Sequence, residues 1–347
     1  MFPCPTCGSP DCIRPMDEIL AEAPSMYVPC STCVGDKPLD KMAPFRGLGV
    51  TVSPDAGRCP VCGRRHLDMV MAQVLDLLID AGLKPGNAAL KDAGTPLVAF
   101  GVDMLGPPRL GKKDLVLVLD DIDRKTAEDI MAKVPEIKGV IRRYGGPRMS
   151  VGLMDTDQKP HLYELQAGCD VRGDVLNSLT GDFCFYRRQS VMHIEYWRNN
   201  SVKIKMLEKM FLQGDLAGKT VVDGMASAGT LGLMAAAAGA KKAILNDAWL
   251  PAVESILWNI DANQALLGVR LERLRPLSGL PDIGGEPELI ARASGSVELE
   301  VYHGDVRKLP GVIKSCDVCI LDPFPGMPAA DFAHDWQDIT KDKIVVL

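Results

Sequence analysis

The chain has 347 residues, 47% of them hydrophobic, with 39 Lys and Arg against 45 Asp and Glu, a net charge of −6 and 11 cysteines. That length allows two or three domains with real cores, and no apolar run reaches the ~18 residues a membrane span needs. The acidic balance leaves out the global basic footprint that nucleic-acid-binding proteins usually carry.

The N-terminus, MFPCPTC, has no apolar secretory leader, so a cytoplasmic protein with reduced thiols is expected rather than a disulfide framework. Three Cys-x-x-Cys knuckles follow, Cys4 with Cys7, Cys30 with Cys33 and Cys59 with Cys62. Cys12 and His66 bring the candidate ligands to eight, enough for two tetrahedral zinc sites. Gly8, Gly63 and the prolines beside the knuckles suit tight turns around a metal. Redox chemistry at one such pair is the alternative, and three knuckles favour metal. Four protein ligands per ion leave no open position for water, so both Zn2+ ions are expected to be structural. Spacing does not say which cysteines pair. The basic residues here, Arg14, Lys37, Lys41, Arg46, Arg58, Arg64 and Arg65, are matched by acids and form no nucleic-acid patch. Residues 1–66 are therefore expected to be a zinc-ribbon-like module. Cys169 and Cys184 read as core or loop positions, Cys316 and Cys319 as part of a buried strand, and His161, His193 and His334 as structural histidines.

Residues 67–160 read as a small α+β domain. Leu67, Val70, Val74, Leu77 and Leu78 mark one face of a helix. Residues 114–144 then read strand, helix, strand, with Lys138, Arg142, Arg143 and Arg148 as a basic cluster. Residues 161–217 form a connector on the substrate side. There Phe183, Phe185, Tyr186, Tyr196 and Trp197 interleave with Arg187, Arg188 and Arg198, a mixture suited to stacking on bases and holding phosphates. An ordinary amphipathic connector explains it equally well.

Residues 218–347 carry the densest pattern. A strand at 220–222 ends in Asp223, a small-residue turn holds Gly224, Met225, Ala226, Ser227, Ala228 and Gly229, and a Leu/Met/Ala helix follows. A second strand at 243–245 ends in Asn246 and Asp247. Asp247 lies near the ~20-residue spacing at which a carboxylate meets ribose hydroxyls in nucleotide-binding folds. Dinucleotides and S-adenosylmethionine compete for such a unit. The turn lacks G-x-G-x-x-G and places Ala226 and Ser227 where backbone would approach a pyrophosphate, which favours a ligand without phosphate there. After a long polar, Gly/Pro-rich segment, a third strand at 297–303 leads to Gly304, Asp305 and Val306. A fourth at 317–321 ends in Asp322, Pro323, Phe324 and Pro325. Right-handed crossovers place all four strand-end acids on one rim of a parallel sheet.

These residues resemble a known family. D-x-x-x-x-x-G-x-x-G at 223–232, L-N-D with A-V-x-x-I-x-x-N at 245–259, H-G-D-V at 303–306 and L-D-P-F at 321–324 look like the class I S-adenosylmethionine-dependent methyltransferases. Within these they look most like the tRNA guanine-N2 dimethyltransferases, whose motif is D-P-F-G. The similarity runs from about residue 220 to 347, more weakly over 183–202. It implies a Rossmann-like sheet with Asp223 and Gly229 at the methionine part of the cofactor, Asp247 on the ribose hydroxyls and Asp305 near the adenine amino group, with Met225, Ala226, Asn246 and Val306 as further cofactor-binding residues. Asp322, Pro323 and Phe324 would face the acceptor, the carboxylate and the Pro323 carbonyl accepting from its N–H groups and Phe324 stacking on its plane. Pro325 departs from the family's glycine, which stiffens that loop.

The sequence at 343–347 reads as a fifth strand, so the last strands of the usual seven are missing after it. An uncovered strand edge invites pairing, and an upstream segment, a partner or a second copy of the chain is expected to cover it. From residue 218 onward 12 basic residues face 17 acidic ones, which weighs toward a small molecule or a protein side-chain amide or imidazole as acceptor against a guanine amine in tRNA. A zinc-bearing binding module without catalysis is the competing reading.

Overall fold

The computed structural model describes residues 2–33, 38–102, 106–144, 162–192, 201–323 and 329–347. The chain starts in short turns around its cysteines and reaches its first long element at α1 (Leu67–Asp80). Val70, Val74 and Leu78 recur at four-residue steps, share one face and are buried. His66 caps this helix, its Nδ1 accepting the Asp68 N–H at 3.2 Å and satisfying one of the open donors of the first turn.

A four-stranded sheet follows. Its strands are β1 (Thr95–Val98), β2 (Leu115–Asp120), β3 (Ile137–Arg143) and β4 (Tyr163–Gly168), in that order. β2 and β3 run parallel across helix α2 (Arg124–Lys133), the strand-helix-strand unit expected from sequence. Residues 115–119 of β2 are all buried, as befits a parallel strand covered on both faces. β5 (Val171–Ser178) and β6 (Gly181–Arg188) form an antiparallel pair, to which the short strand Phe100–Gly101 adds a third. Helix α3 (Val202–Gln213) then leads into the C-terminal unit.

That unit contains β7 (Thr220–Asp223), α4 (Thr230–Ala237), β8 (Lys242–Asp247), α5 (Leu250–Ala262), β9 (Val269–Arg273), β10 (Glu288–Gly295), β11 (Glu298–His303), β12 (Cys316–Leu321), α6 (Ala329–His334) and β13 (Thr340–Val346). The seven strands lie in the order β9-β10-β11-β8-β7-β12-β13. The five from β11 to β13 are parallel neighbours. First and second strands sit centrally with the order reversing beside β7, a Rossmann-like doubly wound sheet.

The sheet corrects one expectation. Among the described residues it does have seven strands, but the antiparallel hairpin is β9 and β10, inserted before β11 at the opposite edge. The Gly/Pro-rich residues 274–287 that made this segment read as a loop are only the tip of the hairpin. β13 is the other edge, paired with β12 and presenting exposed Lys341 and Lys343, charges that discourage edge-to-edge pairing.

The unit is tied to the preceding pair of strands by two buried asparagines. Asn259 of α5 accepts the Tyr186 N–H at 2.6 Å and donates to the Tyr186 carbonyl at 3.1 Å. Asn263 does the same for Cys184, at 3.0 and 2.8 Å. The two carboxamides thus act as a strand partner for β6, satisfying backbone groups that burial would otherwise leave open.

Candidate functional site

The turn after β7 is anchored at both sides. The Gly224 N–H donates to the Ile320 carbonyl and the Ala226 N–H to the Asn246 carbonyl, each at 2.9 Å. Gly229 begins α4 at φ +82°, a left-handed conformation that costs glycine little. One turn on, a Cβ at Gly232 would lie 2.8 Å from the Leu245 side chain, so only glycine lets α4 come this close to β8. Sequence spacing had marked both glycines; the packing supplies the reason.

Asp223 Oδ2 accepts the Gly232 N–H at 2.8 Å, while its Oδ1 is buried with no hydrogen-bond partner. Burial, reinforced by the charges of Asp322 and Asp247, pushes this carboxyl up to about 7. Asn246 donates to the Gly224 and Gly304 carbonyls, both at 3.0 Å, and its Oδ1 is likewise buried and unpartnered. Asp247 accepts from the Ser227 and Trp249 N–H groups at 2.8 Å each, and burial raises it to about 6. Two accepted bonds leave an ionised carboxylate roughly two further lone-pair sites.

Asp305 reaches the same rim, but Arg307 holds it. The Arg307 backbone N–H donates to Oδ1 at 2.9 Å and its Nε at 3.0 Å, and this partner keeps the carboxyl below its usual range. Val306 is buried, its Cγ2 2.7 Å from where a Cβ on Gly224 would sit. Met225 packs against the cluster that includes Val306 and Leu321, and Ala226 is buried in the main core of the sheet. Asp322 lies at the end of β12 with Pro323 buried behind it. Phe324 and Pro325 fall outside the described residues, as do Arg148, His161, His193, Tyr196, Trp197 and Arg198.

Two neighbours of the rim escaped the sequence reading. Lys203, at the start of α3, donates to both oxygens of Asp322, at 2.6 Å to Oδ1. Met192 is buried against Ala228 and Ala252, and its sulfur accepts the Ser227 hydroxyl at 3.6 Å. No local spacing could have pointed to either, since both come from outside the strand-end pattern.

The cysteines gather into two groups of four, Cys4, Cys7, Cys12 and Cys169, and Cys30, Cys33, Cys59 and Cys62, with the sulfurs of each group within 4.8 Å of one another. Neighbouring sulfurs are 3.5 Å apart for Cys4 and Cys169 and for Cys7 and Cys12, and 3.4 to 3.6 Å apart around Cys30. A disulfide would need about 2.05 Å, whereas four sulfurs tetrahedrally placed at ~2.3 Å from a zinc ion lie about 3.8 Å apart. The donor set therefore fits zinc. Both the 4–9 and the 59–64 knuckles close in the same way: the Gly8 and Gly63 N–H groups donate to the Cys4 and Cys59 carbonyls, and the Cys4 and Cys59 N–H groups to the Ser9 and Arg64 carbonyls.

Seven of the eight expected ligands are present in these groups, and the eighth is corrected. His66 caps α1 instead, and Cys169, read from sequence as a core or loop position, completes the first group. It follows β4 in the turn before β5, its N–H held by the Lys138 carbonyl at 2.9 Å. Beside it, Asp170 accepts from Thr6 Oγ1 at 2.8 Å and from the Ser190 N–H at 3.2 Å. The basic cluster is also engaged: Arg142 pairs with Glu164, Arg143 with Asp120, and Lys138 donates to the Val171 carbonyl. No helix among the described residues is long and apolar enough to cross a membrane.

No protein-family model and no curated protein matches the chain. Solved structures similar to it include Trm1 from Pyrococcus horikoshii in complex with S-adenosyl-L-methionine, at 17% identity over 50% of this chain and 42% of that one, with a TM-score of 0.35. Trm5b from Pyrococcus abyssi matches at 12% identity over 66% of this chain and 56% of that one, with a TM-score of 0.35. The M. jannaschii tRNA m1G37 methyltransferase matches at 15% identity over 80% of this chain and 63% of that one, again at 0.35. The chain thus spans 42 to 63% of the length of these proteins, and at such scores the likeness says nothing about activity.

Proposed function

We propose that this chain is an S-adenosylmethionine-dependent N-methyltransferase that modifies a guanine amine in tRNA. The observation that carries the reading is the rim of the parallel sheet, where Asp223, with a buried, unpartnered carboxylate oxygen, opens a turn without a phosphate-binding glycine pattern and shares the rim with Asp247 and Asp322. The buried oxygen lacks a donor, and the ammonium of an amino acid moiety supplies one. The remaining lone pairs of Asp247 suit ribose hydroxyls. Met225, half-buried at the turn, offers apolar surface to a base.

The bound cofactor supplies an electrophilic methyl group. This chain's part is to aim a weak nucleophile at it, since the lone pair of an exocyclic or amide nitrogen is delocalised. Asp322 and the Pro323 carbonyl accept N–H bonds from that nitrogen and orient it. Such a cofactor would give up its methyl group and leave as the neutral thioether, while one N–H proton of the acceptor nitrogen would pass to Asp322 and on to water. The L-D-P-F motif supports the tRNA reading, and the net charge of −6 favours a second one, a protein side-chain amide or imidazole.

Both cysteine groups hold zinc in this reading, and both are structural because four thiolates close the coordination shell. The experiment is transfer of tritiated methyl from S-adenosylmethionine in an undermethylated lysate, followed by separate nuclease and protease digestion. Nuclease-released label supports tRNA and protease-released label the protein acceptor. Asp322→Ala is expected to keep cofactor binding and abolish transfer; normal transfer by that variant sinks the placement of the acceptor.

A further inference from the structure

Resting on the reading of Asp322 as the acceptor-side carboxylate, we infer that Lys203 is a positioning and specificity-determining residue, one that fits the site to a neutral planar nitrogen and excludes cationic amines such as lysine side chains and polyamines. The pair it makes is specific. Lys203 Nζ reaches both oxygens of Asp322, 119 residues away in sequence. Lys203 is half exposed, while the Asp322 side chain is one-fifth exposed, so the lysine approaches from the solvent side of the rim.

The position is poor for a cation on local grounds. Lys203 lies in the first turn of α3 (Val202–Gln213), where the helix dipole favours negative charge. The helix is fixed by Ile204, Leu207 and Met210, buried in the core of the large sheet, so its start cannot drift away from β12. What offsets the unfavourable end of the dipole is Asp322. The pair also belongs to a wider field: the Asp322 charge raises the proton affinity of buried Asp223 and the Lys203 charge lowers it.

The lone pairs explain the selectivity. An ionised carboxylate offers about four acceptor sites. Lys203 takes one on each oxygen, which leaves one on each for an incoming N–H. A neutral amine or carboxamide fits that vacancy. A protonated amine there would place a second cation within about 5 Å of Nζ, and the cationic sulfonium of the proposed cofactor would add a third. Like charges so close, at a rim partly screened from water, repel strongly.

The test compares the wild-type chain with Lys203→Met and Lys203→Arg. S-adenosylmethionine affinity is measured by calorimetry, and tritiated methyl transfer in the undermethylated lysate is followed by hydrolysis of the label to nucleosides and amino acids. Wild-type label is expected on a base amine or an amide or imidazole nitrogen, never on methyl-lysine or a methylated polyamine. Lys203→Met is expected to hold or raise cofactor affinity, because a nearby positive charge is gone, while lowering kcat/KM for the acceptor at least tenfold. A merely structural role would lower both together. Lys203→Arg keeps the charge and is expected to recover most of the transfer. Label placed by the wild-type chain on an amine that is cationic at neutral pH overturns the inference, and so does wild-type turnover by Lys203→Met. If Asp322→Ala also transfers normally, the reading of Asp322 fails. If Asp322→Ala is inactive and Lys203→Met is unchanged, only the role of Lys203 falls. Cofactor binding with no label on any acceptor overturns the methyltransferase reading and this inference with it.

Discussion

The two four-cysteine groups use the same knuckle chemistry and differ in reach. Cys30, Cys33, Cys59 and Cys62 lie within 33 residues of sequence, whereas the first group takes three ligands from the first 12 residues and its fourth from Cys169. The local group needs only its own turns. With the proposed zinc bound, the other would close a loop of more than 150 residues and pin the N-terminus to the β4–β5 turn. From there a short path leads to the rim: Asp170 holds the Ser190 N–H, and two residues later Met192 touches Ser227 of the turn after β7. A metal that closes a long loop constrains far more of the unfolded chain than one that closes a short one.

This contrast can be broken most directly at Cys169. Cys169→Ser is expected to reduce bound zinc from two ions to one, cost about 4 kcal/mol of stability and weaken S-adenosylmethionine binding about tenfold through the Asp170–Ser190–Met192 path. Metal analysis, urea unfolding and calorimetry read the three effects. Full cofactor affinity in the variant would show that the first group has no hold on the rim.

Asp247→Ala lies on the other side of the contrast. It is expected to lower cofactor affinity about 100-fold, the loss of charged hydrogen bonds worth about 2–3 kcal/mol, with both zinc ions retained. Zinc loss in this variant would mean that rim and cysteines are one cooperative unit.

A pH titration sharpens the comparison further. Asp223 is raised from 3.8 to about 7 and Asp247 from 3.8 to about 6 in the folded chain. The folded state therefore binds these protons more tightly than the unfolded state. Their contribution to stability is full below pH 3.8 and is lost as pH rises through about 6 and 7. Affinity for a cationic cofactor runs the opposite way and is expected to fall about tenfold between pH 7.5 and 5.5. Asp223→Asn should flatten most of that slope; an unchanged slope would point to another group.

The smallest effect is expected at Cys62→Ser. One zinc ion should be lost, yet cofactor affinity should stay within about twofold, since the local group has no comparable path to the rim. A larger loss would erase the distinction between the two groups.

Much of the site was legible because it is local. Asp223, Asp247, Asp305 and Asp322 each end a strand whose apolar run is visible in sequence or follow it within two residues, and a parallel sheet sends those ends to one rim. Gly229 was visible as a small residue in a turn and Gly232 as the second glycine of the 223–232 motif. The β9–β10 hairpin was missed because its Gly/Pro-rich tip outweighed two short strands, of which β9 is largely exposed. His66 was misread because a helix-capping histidine and a metal-binding one look alike beside cysteines.

By itself the sequence determined what short-range periodicity and turn chemistry dictate: the knuckles, the strand-helix-strand unit at 115–143, the alternation of strands and helices after residue 220 and the acids at the strand ends. Tertiary structure alone decided that Cys169 replaces His66, that Asn259 and Asn263 dock β6, and that Lys203 meets Asp322. These pairs are separated by about 75 to 165 residues. Nothing in the local backbone pattern encodes such contacts; they arise only when packed cores bring distant turns to one place.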